Sequence, residues 1–384
     1  MDRIYLDYAA TAPVLPEVLD AMLPFFVSAF GNASGIHAEG REARKAVEQA
    51  RRQTAAILGA ENREILFTSG GSESNNLAVR GTAMALREKG NHIITSSVEH
   101  PSVINTCRGL EKEGFRVTYL PVDADGSVSP EDVRDAIGPD TLLVSVMAAN
   151  NEIGTLQPVR EIGEICRAKG VVFHTDAVQA AGLLKIDVKE LNADLLSISA
   201  HKFHGPKGAG ALYVRRGTRL EPLVRGGEQE RGLRAGTENV PCIVGLGKAL
   251  EIAAAEREEN AARIRELRDI LIRRILERVP GARLNGHPER RLPNNCHFSF
   301  TGIESEALLL RLDLAGIAVS GGSACTAGSM EPSHVLQAIG LKDDLLKSGV
   351  RLTLGRETRP EDIEKAAQIL PEIVEDLRRM RGIG

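Results

Sequence analysis

Ser197-Ile-Ser-Ala-His-Lys-Phe-His-Gly-Pro-Lys-Gly208 places Lys202 between two histidines and shortly before a Gly-Pro break. The residues that lead into it, 194–199, are predicted to form a buried strand. A lysine at the end of such a strand has a packed stem and an amine directed into a cavity. Burial disfavours a charged amine, which suits a lysine that attacks a carbonyl group. Because most lysines in turns lie at the surface, this interpretation depends on the rest of the chain.

Strands and helices alternate around this stretch, from residue 63 to residue 215. Near-continuous apolar strands separated by helices predict a mostly parallel sheet that is covered on both faces. Ligands bind beyond the carboxyl ends of the strands in such sheets. We expect strands at 63–68, 92–96, 117–120, 142–147, 171–175, 195–199 and 210–214, with helices at 72–86, 102–113, 130–137 and 159–169.

The pattern changes after residue 245. Residues 245–278 predict one long helix or two joined helices with a charged, solvated face. Shorter units follow the Pro280-Gly281 break, with strands at 295–300, 317–320 and 350–354 and helices at 305–315, 333–339 and 360–379. We therefore expect two domains: a large one made of residues 15–260, and a smaller α+β domain made of residues 1–14 and 261–384.

Composition restricts the classes of function. The chain has 384 residues, is 42% hydrophobic and carries a net charge of −4. It has no basic stripe and no apolar run of about 18 residues, so we expect neither a signal peptide nor a nucleic-acid or membrane partner. Its cysteines are scattered and never form a Cys-x-x-Cys pair, so no disulfide framework and no metal site are expected, and the cytoplasm is the expected compartment. Small core residues are predicted at Cys107, Cys166, Cys242 and Cys296.

Polar groups also follow other predicted strands. Thr68-Ser-Gly-Gly-Ser-Glu-Ser-Asn75 joins a strand to a helix, and its backbone amides together with the Ser72 hydroxyl suit a phosphate. This segment lacks the Gly-Lys-Ser/Thr ending of a P-loop and the Gly-x-Gly-x-x-Gly pattern, so a nucleotide is not expected. His100 follows another strand, immediately before a proline. A histidine in that position is more often structural than catalytic.

Asp176 ends a further strand after an apolar run, so we expect its carboxylate to be at least partly buried. A buried carboxylate needs a cationic or hydrogen-bonding partner, and no neighbouring lysine or arginine in the sequence supplies one. A protonated ligand could take that place. A phosphate cradle, such a carboxylate, a ring-sized histidine and Lys202 together fit pyridoxal 5′-phosphate.

The chain resembles the cysteine desulfurases of the nitrogen-fixation and iron–sulfur-cluster type, which are members of the class V aminotransferase family. The resemblance runs through nearly the whole chain. It implies the aspartate-aminotransferase-like fold of the pyridoxal-phosphate-dependent transferases, with a mostly parallel seven-stranded sheet in a large domain and a smaller α+β domain. The motifs that carry it are Tyr5–Thr11, Phe30–Asn32, Thr68–Ser74, Glu99–Pro101, Ala149–Glu152, His174–Gln179, Ser199–Lys202, Arg234–Asn239, Ser323–Thr326, Pro332–His334 and Val350–Leu352.

This resemblance implies roles for individual residues. Lys202 would bond to the cofactor aldehyde, Asp176 would pair with the pyridine nitrogen, and His100 would stack on the ring and help to move substrate protons. The other cofactor contacts would come from Gln179 at the ring hydroxyl, from Asn151, from Gly71, Ser72, Ser199 and His201 at the phosphate, and from Thr237 of the partner in a homodimer. The substrate carboxylate would bind Arg351, Asn32 and Asn151.

Cys325 lies in a run of small residues, Ser320–Ser329, which is typical of a mobile loop and not of a core. An exposed cysteine there fits a nucleophile that reaches a substrate and then a partner. The resemblance implies that L-cysteine is converted to L-alanine and that Cys325 passes the sulfur to an acceptor protein such as an iron–sulfur scaffold. Two alternatives stay open: a selenocysteine lyase or another pyridoxal-phosphate-dependent lyase or aminotransferase, and a non-catalytic sulfur-assembly component that has kept the fold.

Overall fold

The computed structural model describes residues 3–321 and 332–382. None of the helices in this part of the chain has the length and apolar character that crossing a membrane requires. The strands are β1 (Ile4–Tyr5), β2 (Ile65–Thr68), β3 (His92–Ser96), β4 (Arg116–Leu120), β5 (Thr141–Ser145), β6 (Val172–Asp176), β7 (Leu195–Ser199), β8 (Gly210–Val214), β9 (Ala282–Leu284), β10 (Asn295–Phe300), β11 (Ile317–Ala318) and β12 (Val350–Thr353). The helices are α1 (Pro16–Met22), α2 (Pro24–Val27), α3 (Ala38–Leu58), α4 (Gly71–Leu86), α5 (Pro101–Lys112), α6 (Pro130–Ala136), α7 (Val159–Lys169), α8 (Val240–Arg278), α9 (Ser305–Leu314), α10 (His334–Ala338), α11 (Asp343–Lys347) and α12 (Pro360–Met380).

The central sheet has seven strands in the order β2-β8-β7-β6-β5-β3-β4. Neighbouring strands from β7 to β4 pair in parallel, whereas β8 runs antiparallel to both β7 and β2. All strands of this sheet except β8 therefore point the same way, and their carboxyl ends lie along one edge. The predicted mostly parallel seven-stranded sheet is confirmed.

Apolar strands and amphipathic helices bury both faces of this sheet. Every residue of β3, β5 and β7 is buried, as expected for strands with helices on both faces. In α5, Val103, Cys107 and Leu110 recur at helical spacing and pack in one cluster with Ile93 of β3. Burial of a large apolar side chain contributes about 1.5–3 kcal/mol, so such stripes hold the helices on the sheet.

A second hydrophobic core surrounds the antiparallel sheet β12-β10-β9. Beside it, β1 pairs in parallel with β11. Helix α8 connects the two cores, because Leu246 and Leu250 pack in the first and Leu267 and Leu271 pack in the second. This arrangement agrees with a large and a small α+β unit, while the boundaries at residues 14/15 and 260/261 stay a prediction.

The structure differs most from the sequence expectations before residue 60, where β1, α1, α2 and α3 were not predicted. Helix α3 buries Ala43, Val47 and Ala50 among charged neighbours, so its apolar stripe is made mostly of small side chains and gives a weak pattern. Strand β1 has two residues and forms only because β11, far along the chain, pairs with it. In addition, the predicted strand 317–320 ends at Ala318.

The cysteine predictions can also be compared with the structure. Cys107, Cys166 and Cys296 are buried, which confirms their prediction as core residues, whereas Cys242 near the start of α8 is half-buried.

Candidate active site

A cavity of about 290 Å³ lies beyond the carboxyl ends of β6 and β7. Ligand sites of open α/β sheets occupy this position. The motifs that follow separate strands therefore meet in one place, as the sequence predicted. The predicted site residues that line the cavity are Gly71, Ser72, His100, Asn151, Asp176, Gln179, Ser199, His201, Lys202 and Arg351.

One end of the cavity is formed by the start of α4, directly after β2. The first amide groups of a helix have no acceptor within the helix, and Ser72 adds a hydroxyl group in the first turn. A Cβ atom on Gly210 of β8 would lie 2.6 Å from the Cα atom of Gly70, so the absence of a side chain allows this close approach. Ser199 lines the same cavity. This set of donors suits an anion such as a phosphate.

His201 adds a neutral ring to the cavity. Burial, with smaller effects from the nearby Lys202 and Lys207, lowers the pKa of His201 to about 4. Its Nδ1 lies 3.2 Å from the hydroxyl of Thr11, which belongs to the N-terminal segment. The ring can therefore donate or accept a hydrogen bond but carries no charge near pH 7.

Asp176 is the carboxylate of the cavity and is 6% exposed. Its Oδ2 accepts a hydrogen bond from Nδ2 of Asn75 at 2.6 Å, and its Oδ1 accepts one from the backbone amide of Val178 at 2.9 Å. Its hydrogen-bond partners are neutral, so Asp176 can neutralise a cationic group of a ligand.

Lys202 ends a one-turn 3₁₀ helix that follows β7. Its Nζ donates to the backbone oxygens of Ala9 at 2.5 Å and Ala10 at 2.9 Å, and Gln179 donates to the same Ala9 oxygen at 3.0 Å. The N-terminal segment therefore covers Lys202. No sequence pattern indicates this contact, because Ala9 and Lys202 are 193 positions apart.

Two histidines line the cavity with opposite hydrogen-bond arrangements. Nδ1 of His100 accepts the backbone N–H of Ser102 at 3.2 Å, so its neutral ring carries the proton on Nε2. Nε2 of His334 donates to the backbone oxygen of Glu99 at 2.9 Å, so Nδ1 is the ring nitrogen that is left to accept a proton. Burial lowers the pKa of His100 below its ordinary value, an effect that Asp176 opposes. The pair thus supplies one proton donor and one proton acceptor.

Two carboxyl groups near these histidines were not predicted as site residues. Burial raises the pKa of Glu99 to about 8, although Ser96 and Met147 donate hydrogen bonds to it. Burial also raises the pKa of Glu152, whose Oε2 accepts the hydroxyl of Ser333 at 2.6 Å. Both residues stand within the quoted motifs. Glu99 lies three residues after the end of β3 and Glu152 seven residues after the end of β5, so an acidic residue in the turn that follows an apolar strand is the signal that could have found them.

Arg351 of β12 reaches the cavity from the small sheet. Its side chain is 1% exposed. Nη1 donates to the backbone oxygen of Asn151 at 2.6 Å, and Nη2 donates to Oδ1 of Asp7 at 2.9 Å. A buried guanidinium at the rim is suited to a carboxylate ligand.

Two predicted site residues of the described chain are not among the residues that line this cavity. Asn32 is exposed, and its Oδ1 accepts the backbone amide of Ser34 at 2.9 Å. Thr237 is exposed as well, in the segment that precedes α8. Cys325 lies outside the described residues. The roles expected for these three residues stay predictions.

Comparison with known proteins agrees with this geometry. The family model of the class-V aminotransferases matches residues 4–366. The cysteine desulfurase IscS of Methanosarcina thermophila is 54% identical over 377 residues, which cover 98% of this chain and 93% of that protein. The cysteine desulfurase of Mus musculus is 48% identical over 380 residues, which cover 98% of this chain and 82% of that protein.

Solved structures show the same fold. A NifS-like protein superposes with a TM-score of 0.92 at 38% identity, covering 97% of this chain and all of that one. A structure described as SspA in complex with cysteine superposes with a TM-score of 0.81 at 41% identity, covering 91% of this chain and 98% of that one. The chain therefore belongs to the class-V aminotransferase family and, within it, to the cysteine desulfurases.

Proposed function

We propose that this chain converts L-cysteine to L-alanine with the help of pyridoxal 5′-phosphate and keeps the sulfur as a persulfide of Cys325. The observation that carries the proposal is one cavity that holds Lys202, Asp176 and the anion-suited start of α4. In the overall reaction the C–S bond of cysteine breaks and an S–S bond to the enzyme thiol forms. The β-carbon of the product takes up a proton, so cysteine and a thiol give alanine and a persulfide.

The residues of the cavity fit this cofactor. Asp176 has neutral partners and would hold the protonated pyridine nitrogen, while Gln179 would lie at the ring hydroxyl. The phosphate would be held by Gly71, Ser72, Ser199 and His201. When bound, the cofactor withdraws electrons from the carbon atoms of the amino acid that is attached to it. Lys202 would hold its aldehyde, and its amine would serve as a base once the substrate has taken that place.

The other side chains of the cavity would transfer protons and bind the substrate carboxylate. His334 has Nδ1 as an acceptor and would take the proton of an incoming thiol, whereas His100 would return a proton from Nε2. The family resemblance implied that His100 helps to move substrate protons, and His334 was not among the residues expected in that role. The fork of the Arg351 guanidinium would bind the substrate carboxylate.

We also propose that the chain works as a homodimer and passes sulfur to a protein thiol, such as one on an iron–sulfur scaffold. The segment from Phe26 to Ile36 supports a dimer, because Phe26 is 56%, Val27 78%, Phe30 70% and Ile36 91% exposed. Large exposed apolar patches mark interaction surfaces. In such a dimer Thr237, which is exposed, would contact the phosphate site of the other copy, as the family resemblance implies.

Alanine formation from cysteine by the purified protein with added pyridoxal phosphate tests the proposal. The wild-type protein should become yellow, and Lys202→Ala should lose both the covalently held cofactor and at least about 10³-fold in rate. The exposed Lys207 is a matched control, and Lys207→Ala should retain both. A wild-type protein that stays colourless and makes no alanine would refute the proposed function.

Cys325→Ser distinguishes desulfuration from the alternatives. This variant should stay yellow but form no cysteine-dependent persulfide, while Cys242→Ser, at a half-buried thiol, should behave like the wild type. Undiminished alanine formation in Cys325→Ser would instead favour another pyridoxal-phosphate-dependent lyase.

A further inference from the structure

We propose that Asp7 is the resident counter-anion of Arg351 and sets how tightly the site holds an amino-acid carboxylate. The inference rests on the proposed function, in which Arg351 binds the carboxylate of the substrate. Oδ1 of Asp7 lies 2.9 Å from Nη2 of Arg351, and the exposed fractions of the two side chains are 17% and 1%. Asp7 does not line the cavity, so it acts through Arg351 as a positioning residue.

Backbone contacts on both sides hold Asp7 at this place. The amide of Leu6 donates to the oxygen of Ala318, and the oxygen of Leu6 accepts the amide of Thr353 at 2.7 Å. The turn that follows Asp7 is fixed as well, because the amide of Ala9 donates to the hydroxyl of Thr353 at 2.9 Å. Thr353 and Arg351 are two positions apart on β12 and face the same side of the strand. The ion pair is therefore built by the sheet and does not depend on a mobile side chain.

Two other ionisable groups near Arg351 in the described part of the chain, His297 and Glu152, are shifted toward their neutral forms. His297, which pairs with Arg351 across β10 and β12, has its pKa lowered to about 3 by burial. Burial raises the pKa of Glu152, with Ser333, His334 and Arg351 opposing that effect. Asp7 is thus positioned to balance the charge of Arg351 before any substrate binds.

A ligand carboxylate at Arg351 would share the guanidinium with Asp7. Two like charges on one cation repel each other, so Asp7 weakens carboxylate binding while keeping the guanidinium oriented. Cysteine and alanine carry the same carboxylate, and contacts to it hold substrate and product equally. Asp7 weakens the binding of both cysteine and alanine, and so it favours release of the amino-acid product.

Asp7→Asn tests this role, because asparagine keeps the shape and the accepting oxygen but removes the charge. In the holoenzyme we expect the KM for L-cysteine and the inhibition constant of L-alanine to fall together, by about tenfold. Binding of L-alaninamide, which has no carboxylate, should not change. Asp7→Glu, which restores the charge, should bind alanine as weakly as the wild type.

Asp313→Asn is the matched control. Asp313 also pairs with the N-terminal segment, through Arg3, but both side chains are exposed. The Asp313→Asn substitution should leave the affinities for alanine and alaninamide unchanged. Weaker alanine binding in Asp7→Asn, or equal shifts for alanine and alaninamide, would overturn the proposal by showing a merely structural role. A wild-type protein that makes no alanine from cysteine would overturn the proposed function itself, whereas normal turnover with an unaltered alanine affinity in Asp7→Asn would overturn only the role of Asp7.

Discussion

The two sides of the cavity hold their charged groups in different ways. On the side of the seven-stranded sheet, Asp176 and Lys202 follow parallel strands and contact backbone groups and an asparagine amide. On the side of the small sheet, Arg351 is buried and contacts a carboxylate, that of Asp7. A charged ligand can replace a neutral hydrogen-bond partner at little electrostatic cost. A ligand carboxylate at Arg351, in contrast, must share the guanidinium with Asp7. The comparison suggests that the large sheet carries the chemistry and the small sheet tunes substrate binding.

The largest effect within this comparison is expected from Arg351→Gln. Truncation of one member of a buried charge pair costs about 2–5 kcal/mol, so the KM for L-cysteine should rise by about 100-fold, with a smaller change in kcat. Steady-state kinetics of alanine formation measure the KM for L-cysteine and the kcat. Arg356, whose partner Glu256 lies 2.8 Å away in a partly exposed ion pair, is the control, and Arg356→Gln should change KM less than about twofold. A KM for Arg351→Gln that stays within a few-fold of the wild type would contradict the division of roles.

Gly210→Ala probes the large-sheet side. The added Cβ atom would lie 2.6 Å from Gly70 and push the start of α4 out of place. Overpacking of this kind costs about 1–3 kcal/mol, so the dissociation constant of pyridoxal phosphate should rise by about tenfold or more. Gly109 of α5 has no atom within 4 Å of an added Cβ, and Gly109→Ala should bind the cofactor as the wild type does. Equal cofactor affinities in the two variants would show that this contact does not shape the site.

The smallest expected effect concerns pH, because each side of the molecule contains a histidine with no exposed surface, His174 in the large sheet and His297 in the small one. Burial lowers the pKa of His174 in β6 and of His297 in β10 to about 3. Unfolded histidine has a pKa of about 6.5, so the unfolded chain takes up these protons first and the folded state loses stability as the pH falls below about 6.5. Each histidine should contribute about 1.4 kcal/mol of lost stability between pH 7.5 and pH 5.5.

Denaturant unfolding of the wild type, His174→Gln and His297→Gln at both pH values measures this loss. Each variant should show a smaller loss than the wild type. If the two regions unfold as one unit, both substitutions should reduce the pH dependence of the same transition. Two transitions, each affected by one substitution alone, would show that the large and small sheets are independently stable. A pH dependence that neither substitution changes would contradict the burial argument.

Much of the fold followed from local patterns. The predicted bounds are observed for the strands β3, β7, β8 and β10 and for the helix α7. The hydrophobic pattern of a buried strand or an amphipathic helix lies within a short run of consecutive residues, so the sequence shows it directly. The rule that ligands bind beyond the carboxyl ends of parallel strands also predicted that the strand-end motifs meet. The N-terminal elements were missed because small side chains in α3 and two residues in β1 give little periodicity.

The sequence by itself therefore determined the large sheet, the positions of Asp176 and Lys202 at strand ends, and the family to which the chain belongs. Only the tertiary structure decided which partners these groups have. Asp7 and Arg351 are 344 positions apart, and Ala9 and Lys202 are 193 apart, so no local pattern links them. The opposite arrangements of His100 and His334 likewise depend on which backbone group each ring meets. The physical reason is that hydrophobic periodicity acts between near neighbours in the chain, whereas charge balance and proton position depend on contacts that exist only after the chain has folded.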